Sequence, residues 1–438
     1  MSRSSLRSIV SLSLAATLAV GCSGKSSGKR DGGAADLSAG GAAPSTDLAM
    51  AAAPSRCNGS VASTAKPGMT PTASAGLTLP TGFKVETIAK VGSARELAAL
   101  PNGDLLVATS GTSVYLVPAA EADAAAGAPV VFTTIGDGPT QGVTFVQSTC
   151  TVYVSTQHGV YSLPYLDGQL PAAAATQIGS VRGGTVTPNS DGDVHTSTSL
   201  AFAGGKLYVG VGSGCNACVE VDPTRATIQQ FDADGKNMTT KATRMRNAIA
   251  LATNPATGTL WAGGAGQDDL VDGHPYEYFD AVTLHAGMAD YGWPACEENH
   301  NAYGSGADCS TTVQPILELP PYSTIIGAAF YPTTQTGTHA FPPANRGLYL
   351  TAHGSWHKTN NVYHTPPRVA FVAMSGDVPA VAVDWSDPSK QWTEFVGGFQ
   401  LADQLTRIAR PTGIAVGAQG SLFIADDQNG VVYRVRPQ

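Results

Sequence analysis

Residues 413–435 read GIAVGAQGSLFIADDQNGVVYRV. Three apolar runs, 414–416, 422–425 and 431–435, are separated by turns built on Gly, Gln, Ser, Asp and Asn. Runs this short, bounded by turn residues, pair as antiparallel neighbours in a small sheet. Such a sheet has two apolar faces to cover, so the reading depends on whether it recurs. LAALPNGDLLVATSGTSVYLVP (97–118) has the same plan, and so has GVTFVQSTCTVYVSTQHGVYSLPY (142–165). SLAFAGGKLYVGVGS (199–213) opens a third unit and IALATNPATGTLWAGGAG (249–266) a fourth. GAAFYP (327–332), resumed at RGLYLTAHGSW (346–356), is the fifth. The matching anchors are Leu105, Val152, Leu207, Leu260, Leu348 and Leu422, about 47 to 90 residues apart, with the longest gaps at insertions such as CEENHNAYGSGADC (296–309). Repeats of roughly 40–50 residues with three or four strands each are blades of a propeller. The expected fold is all-β: a six-bladed β-propeller over residues 77–438. Helix-period segments are missing between the strands, which excludes a doubly wound α/β fold.

Composition agrees. The 438 residues hold 50 Gly and 28 Pro, with 13% charged residues, so turns dominate. A net charge of −8 argues against binding a phosphate backbone, and no nucleic-acid partner is expected.

Residues 1–21 read as an export signal: Arg3 and Arg7 precede an apolar run from Ile9 to Val20, too short to span a bilayer as a mature helix. The ending LAVGC is similar to a bacterial lipobox, with Ala19 at the usual Leu position. Cleavage before Cys22 would let its thiol carry lipid and hold the chain at a membrane surface of the bacterial cell envelope, periplasmic or outer-membrane. Residues 22–76, rich in Gly, Ala and Ser, are expected to form a flexible tether. Six cysteines remain after Cys22, and in an oxidising compartment disulfides are the default. Six allow fifteen pairings, which sequence does not distinguish; the expectation is Cys215 with Cys218, Cys296 with Cys309 and Cys57 with Cys150. No second CxxC completes a zinc set, and no helix follows Cys215–Cys218 to make a redox turn of the thioredoxin kind.

Propellers bind ligands on the face where loops from several blades meet the central channel. His195 stands ahead of the third unit, Gln141 ahead of GVTF, Arg246 and Asn247 ahead of AIALAT, and Arg410 ahead of PTGIAV. Topologically equivalent positions project to one face, so these residues are expected to form a polar, cationic pocket near the axis. GVGSG (210–214) has no helix after it and is discounted as a dinucleotide loop. His353 and His357 sit in strand context, which argues against a helical zinc pair, and no G-x-S-x-G serine elbow is present.

Several segments resemble the PQQ-dependent sugar dehydrogenases, both the soluble glucose dehydrogenases and, more closely, the sorbosone dehydrogenase-like family. They are VHTSTSLAF with GKLYVGVGS, RMRNAIALATNPATGTLW, QDDLVDGHPYEYFDAV followed by YGWPAC, AHGSWHK, and ARPTGIAVGAQGSLFIADDQNGVVYRV. The resemblance covers roughly residues 78–437. It implies that His195 is the general base taking the proton of a sugar hydroxyl as hydride passes to the quinone. It implies that Arg246 polarises the quinone oxygen and that Asn247 and Gln141 hydrogen-bond the cofactor. Arg410 would pair with a PQQ carboxylate, with Lys358 or His353 as a further contact. Calcium is the implied metal, a hard cation taking oxygen ligands, sought on the loop of Gln267, Asp268, Asp269, Asp272 and Glu277.

The chain departs from those patterns at Gln267-Asp268, at Val271-Asp272-Gly273, and at Thr412, where the glucose dehydrogenases carry a second Arg. One cofactor cation is therefore missing unless Lys358, Arg244 or Arg368 replaces it. No CxxCH haem motif is present, so electrons would leave to an external acceptor, a quinone or a cytochrome. Two other functions fit a propeller: a calcium-dependent lactonase, and a non-catalytic binder of surface glycan or protein.

Overall fold

The structure is a computed structural model that describes residues 55–170, 174–183, 195–270, 273–297, 299–303 and 306–438. Cys22 and Asp272 lie outside the described residues. Six mainly antiparallel sheets form the blades of a β-propeller, and the only helices among the described residues are four single 3-10 turns. None is long and apolar enough to cross a membrane.

Each blade starts with a strand at the axis: Ala94–Ala99, Gly142–Val146, Leu200–Ala203, Asn247–Thr253, Ile325–Phe330 and Pro411–Val416. These six inner strands touch one another in sequence, and the sixth touches the first. Each predicted anchor lies in the second strand of its blade, at or next to its start, and all six are completely buried.

The cores explain the pattern. A separate apolar cluster fills every gap between neighbouring blades, so each blade is buried on both faces. Side chains alternate across a strand. Leu207, Val209 and Val211 therefore meet the second blade, while Tyr208 meets the fourth. Strands buried on both faces read as continuous apolar runs, which is why the repeat is visible in sequence.

The ring is closed by the N-terminal part of the chain. Phe83–Lys90 pairs antiparallel with Val431–Pro437, from Phe83 opposite Pro437 to Lys90 opposite Val431. Arg434, fully buried, donates to Glu86 across this seam at 3.1 Å and to the carbonyl of Ala120 in the first blade at 2.8 Å.

The three disulfides pair as expected: Cys57–Cys150, Cys215–Cys218 and Cys296–Cys309. The first corrects one expectation. Residues 55–76 are not free tether, because Cys57 is buried against the second blade, Ser63 donates to Asp104, and Thr72–Ala73 pairs with Phe83–Lys90. Low apolar content misled here; a covalent bond and polar contacts hold this segment instead of a core of its own.

Replacing Cys57 and Cys150 together by Ser is expected to cost ~2–5 kcal/mol, because the bond closes a long loop. The readout is a lower denaturant midpoint; an unchanged midpoint would contradict the role given to this bond.

Candidate active site at the propeller axis

Inner strands begin at the axial face, so a residue just ahead of one is delivered to the channel. The structure brings His195, Arg246, Asn247, Asp268, Glu277, Tyr322, Thr324 and Trp356 onto the wall of one cavity of about 230 Å³. Gly210 and Gly212 of GVGSG serve this convergence by allowing close approach of two blades. A Cβ on Gly212 would stand 2.7 Å from Asn247 Oδ1 and equally close to the Cβ and carbonyl of His195.

His195 has a defined tautomer. Ser213 Oγ donates its proton to the carbonyl of Cys215 at 2.7 Å, so toward the ring it accepts, and His195 Nδ1 at 2.7 Å is the donor. Nε2 is left as the unprotonated nitrogen. Burial pushes the imidazole pKa down to about 3, with the charges of Arg246 and Arg225 acting in the same direction and a hydrogen bond to the Ser213 backbone opposing them. The Arg225 guanidinium donates to the His195 carbonyl at 3.0 Å and fixes the backbone.

Arg246 is buried, and every N–H direction is committed. Nε donates to the Asn216 carbonyl at 3.0 Å, and Nη2 donates to Asn216 Oδ1 and Asp268 Oδ2, both at 2.9 Å. Nη1 donates to the Gly266 carbonyl at 2.5 Å and to that of Ala265 at 3.4 Å. The long bond to Ala265 is the weakest, so that proton is the one a ligand oxygen can take over. Otherwise Arg246 acts as a fixed positive charge. His357 Nε2 stands 3.2 Å from Asp268 Oδ1 without alignment for a hydrogen bond.

A second cationic cluster is assembled where the fifth, sixth and first blades meet. Arg410 donates to the carbonyls of His353 and Gly354, each at 3.2 Å, and the amides of His353 and Gly354 bond to Thr324 and Ser323. Thr324 joins this cluster to the cavity wall. Asp427 accepts from Arg95 at 3.0 Å and lies 3.0 Å from His353 Nε2. Burial lowers Arg410 to about 10, with Arg407 and Arg95 adding repulsion, and burial lowers His353 to about 4. Arg407 lies over the Tyr363 ring at 3.7 Å.

The structure places the other expected residues as follows. Gln141 leads into the second blade with its Oε1 buried and unpartnered. Lys358 is exposed on the ribbon formed with Tyr363, over whose ring it lies at 4.4 Å, and is not part of the cavity wall. The two other substitutes for the missing cation are engaged elsewhere: Arg244 forks onto Asp290 at 2.6 and 2.7 Å, and Arg368 stacks on Trp392. Arg407 and Arg95 stand beside Arg410 instead. Neither holds the position directly ahead of an inner strand that singled out the other site residues, so no positional signal marked them in the sequence.

The residues of the metal loop are only partly gathered. No three carboxylate or imidazole atoms gather there at ligand spacing among the described residues; the one such group is Cys215, Cys218 and Glu220, whose sulfurs are already bonded to each other. Asp269 points outward, 74% exposed, and Asp268 is paired with Arg246. Two features suit a cation nonetheless. Gln267 Oε1 is buried without a partner, and burial raises Glu277 to about 8, so its carboxyl keeps a proton at neutral pH unless a cation lies against it.

The pH behaviour follows. A histidine whose pKa is lowered on folding contributes stability that is present above its ordinary value near 6.5 and lost as pH falls toward the folded value. NMR titration of the His195 ring is therefore expected to show a neutral imidazole at pH 5, and protonation by pH 6 would contradict the burial described.

The chain matches the TrAA12-like family over residues 77–301 and 279–438. No curated protein matches it. Among solved structures, the holo form of the pyranose dehydrogenase PQQ domain from Coprinopsis cinerea superposes with a TM-score of 0.67 at 17% identity, over 86% of this chain and 100% of that one. A calcium structure of the family AA12 carbohydrate-active enzyme of Trichoderma reesei gives 0.64 at 17% identity, over 86% and 100%. A Thermus thermophilus protein described as a putative oxidoreductase (glucose dehydrogenase) gives 0.53 at 15%, over 81% and 100%. At these identities the structures share the fold, and the family match carries the kinship. The chain belongs to the TrAA12-like family, and with it to the PQQ-dependent sugar oxidoreductases that its motifs resemble.

Proposed function

We propose that the protein is an exported, lipid-anchored oxidoreductase, dependent on PQQ and calcium, that oxidises a hydroxyl of a sugar or hydrated sugar aldehyde and passes electrons to an external acceptor. The observation that carries this reading is a neutral, tautomer-fixed imidazole sharing one cavity with a buried guanidinium. Its unprotonated Nε2 can receive a proton from a hydroxyl once a bound anion offsets the burial and guanidinium charge that hold its pKa down to about 3. Arg246 stands ready to offset negative charge that develops beside it.

The donor set fits a planar polyanion. Arg410 and Arg95 both act on Asp427, and Arg407 adds its charge beside Arg410, so guanidinium groups outnumber the carboxylate they share. In this reading Arg410 holds a cofactor carboxylate with Arg407 and Arg95 beside it, Asn247 and Gln141 hydrogen-bond the ring system, and His353 closes the Arg410 side. PQQ, when bound, supplies an ortho-quinone that accepts hydride. Calcium would draw on Gln267, Asp268 and Glu277, and its charge would let Glu277 ionise. Trp356, 65% exposed on the cavity wall, offers a sugar an apolar face. Cys22 would anchor the chain through lipid to the cell envelope.

A lactonase would need the two carboxylates and the metal but not the excess of guanidinium groups. Sugar-dependent dye reduction by the full chain with PQQ and calcium separates the two. His195→Ala is expected to lower turnover by about 10²–10⁴-fold while PQQ stays bound. A variant as active as the parent would overturn the assignment of the base.

A further inference from the structure

Both groups on which the proposed reaction rests are fastened to one short segment, residues 213–218. Ser213 Oγ accepts the hydrogen bond of His195 Nδ1–H and is itself anchored on the Cys215 carbonyl, while its amide donates to the Arg246 carbonyl at 2.8 Å. Asn216 is the denser junction. Its carbonyl accepts from Arg246 Nε and from Trp293 Nε1 at 3.1 Å. Its Oδ1 accepts from Arg246 Nη2 and from the Asp268 amide, both at 2.9 Å, and its Nδ2 donates to the Asp268 carbonyl at 3.1 Å. Three of the five hydrogen-bond directions of Arg246 thus end on Asn216 or on the carboxylate that Asn216 orients.

The Cys215–Cys218 bond closes a ring around Asn216. Its sequence separation is 3, against 13 and 93 for the other two disulfides. A ring that small removes the least chain entropy of the three, so its effect is local geometry more than global stability. It is also the most reachable: Cys218 is partly exposed, whereas both partners of each other disulfide are buried.

We propose that Asn216 is a positioning residue for Arg246 and Asp268, and that the Cys215–Cys218 disulfide is a redox-labile strap holding the segment that aims both Arg246 and His195. The inference rests on the reading of those two as the working pair. A dithiol supplies the reducing electrons. One thiolate attacks Cys218 Sγ, the S–S bond breaks and Cys215 leaves as thiolate. The second thiol then displaces Cys218, the dithiol ends as a cyclic disulfide, and both cysteines take up protons. The strap opens, Asn216 leaves the Arg246 guanidinium, and the Cys215 carbonyl no longer fixes the Ser213 hydroxyl.

The test uses the full chain with ¹⁵N-labelled histidine and dithiothreitol as reductant, and it reads structure, so it stands apart from any assay of sugar oxidation. Under native conditions, alkylation followed by mass spectrometry is expected to find Cys215 and Cys218 modified before the other four disulfide cysteines. In the reduced chain the His195 ring is expected to lose its pure Nδ1-protonated signature, and Trp293 emission to shift, while the thermal midpoint moves only slightly. In a uniformly ¹⁵N-labelled sample, Asn216→Ala, which loses both side-chain contacts to Asp268, is expected to shift the Asp268 amide without reduction, so the proposal stays testable if a double Cys→Ser variant does not fold. Earlier modification of another pair would overturn it. So would an unchanged His195 signature after reduction, or an unchanged Asp268 amide in Asn216→Ala.

Discussion

The site depends on the closure of the ring. A propeller left open between its sixth and first blades would expose two apolar sheet faces and an unpaired strand edge. Pairing of Phe83–Lys90 with Val431–Pro437 removes that edge and buries the cluster that includes Ile88, Val107 and Phe423. Arg434, with no exposed surface, is tolerable there because Glu86 and a first-blade carbonyl both receive its protons. Closure also sets the spacing of the inner strands, and so the distance across the channel at which residues from different blades meet.

Within that frame the chemistry follows from burial. Two cationic centres lie on the axial face, Arg246 on one wall and the Arg410 cluster beside Thr324. Burial depresses the titration of a histidine beside each, and the neighbouring guanidinium depresses it further. Imidazoles kept neutral beside guanidinium groups suit a site that must accept a proton and hold negative charge together. The carboxylates are apportioned accordingly, with Asp268 on Arg246 and Asp427 between Arg95 and His353.

What was legible in the sequence is what repeats. Leu105 and its five equivalents mark the second strands because burial on both faces leaves no room for polar residues. His195, Arg246 and Arg410 were visible because the residue ahead of an inner strand occupies an equivalent place in every blade. Asn216, Arg95 and Arg407 were not. Asn216 matters through contacts with residues 30, 52 and 77 positions away along the chain, which no local pattern encodes. Arg407 and Arg95 reach the Arg410 cluster by proximity between blades and not by equivalent position. The acidic loop shows the same limit of local pattern: its composition suits a metal, but sequence does not reveal that Asp269 turns to solvent and Asp268 pairs with Arg246. Residues 55–76 look like linker because their order comes from one disulfide and a few polar contacts.

The central claim is that the axial face is built for an anionic quinone. Calorimetric titration of PQQ into the full chain, with calcium present, tests it most directly. The account predicts one PQQ bound per chain, with affinity weakened roughly tenfold or more by Arg410→Ala, since a hydrogen bond to a charged group contributes about 1.5–3 kcal/mol. Absence of binding, or binding that Arg410→Ala leaves unchanged, would contradict it.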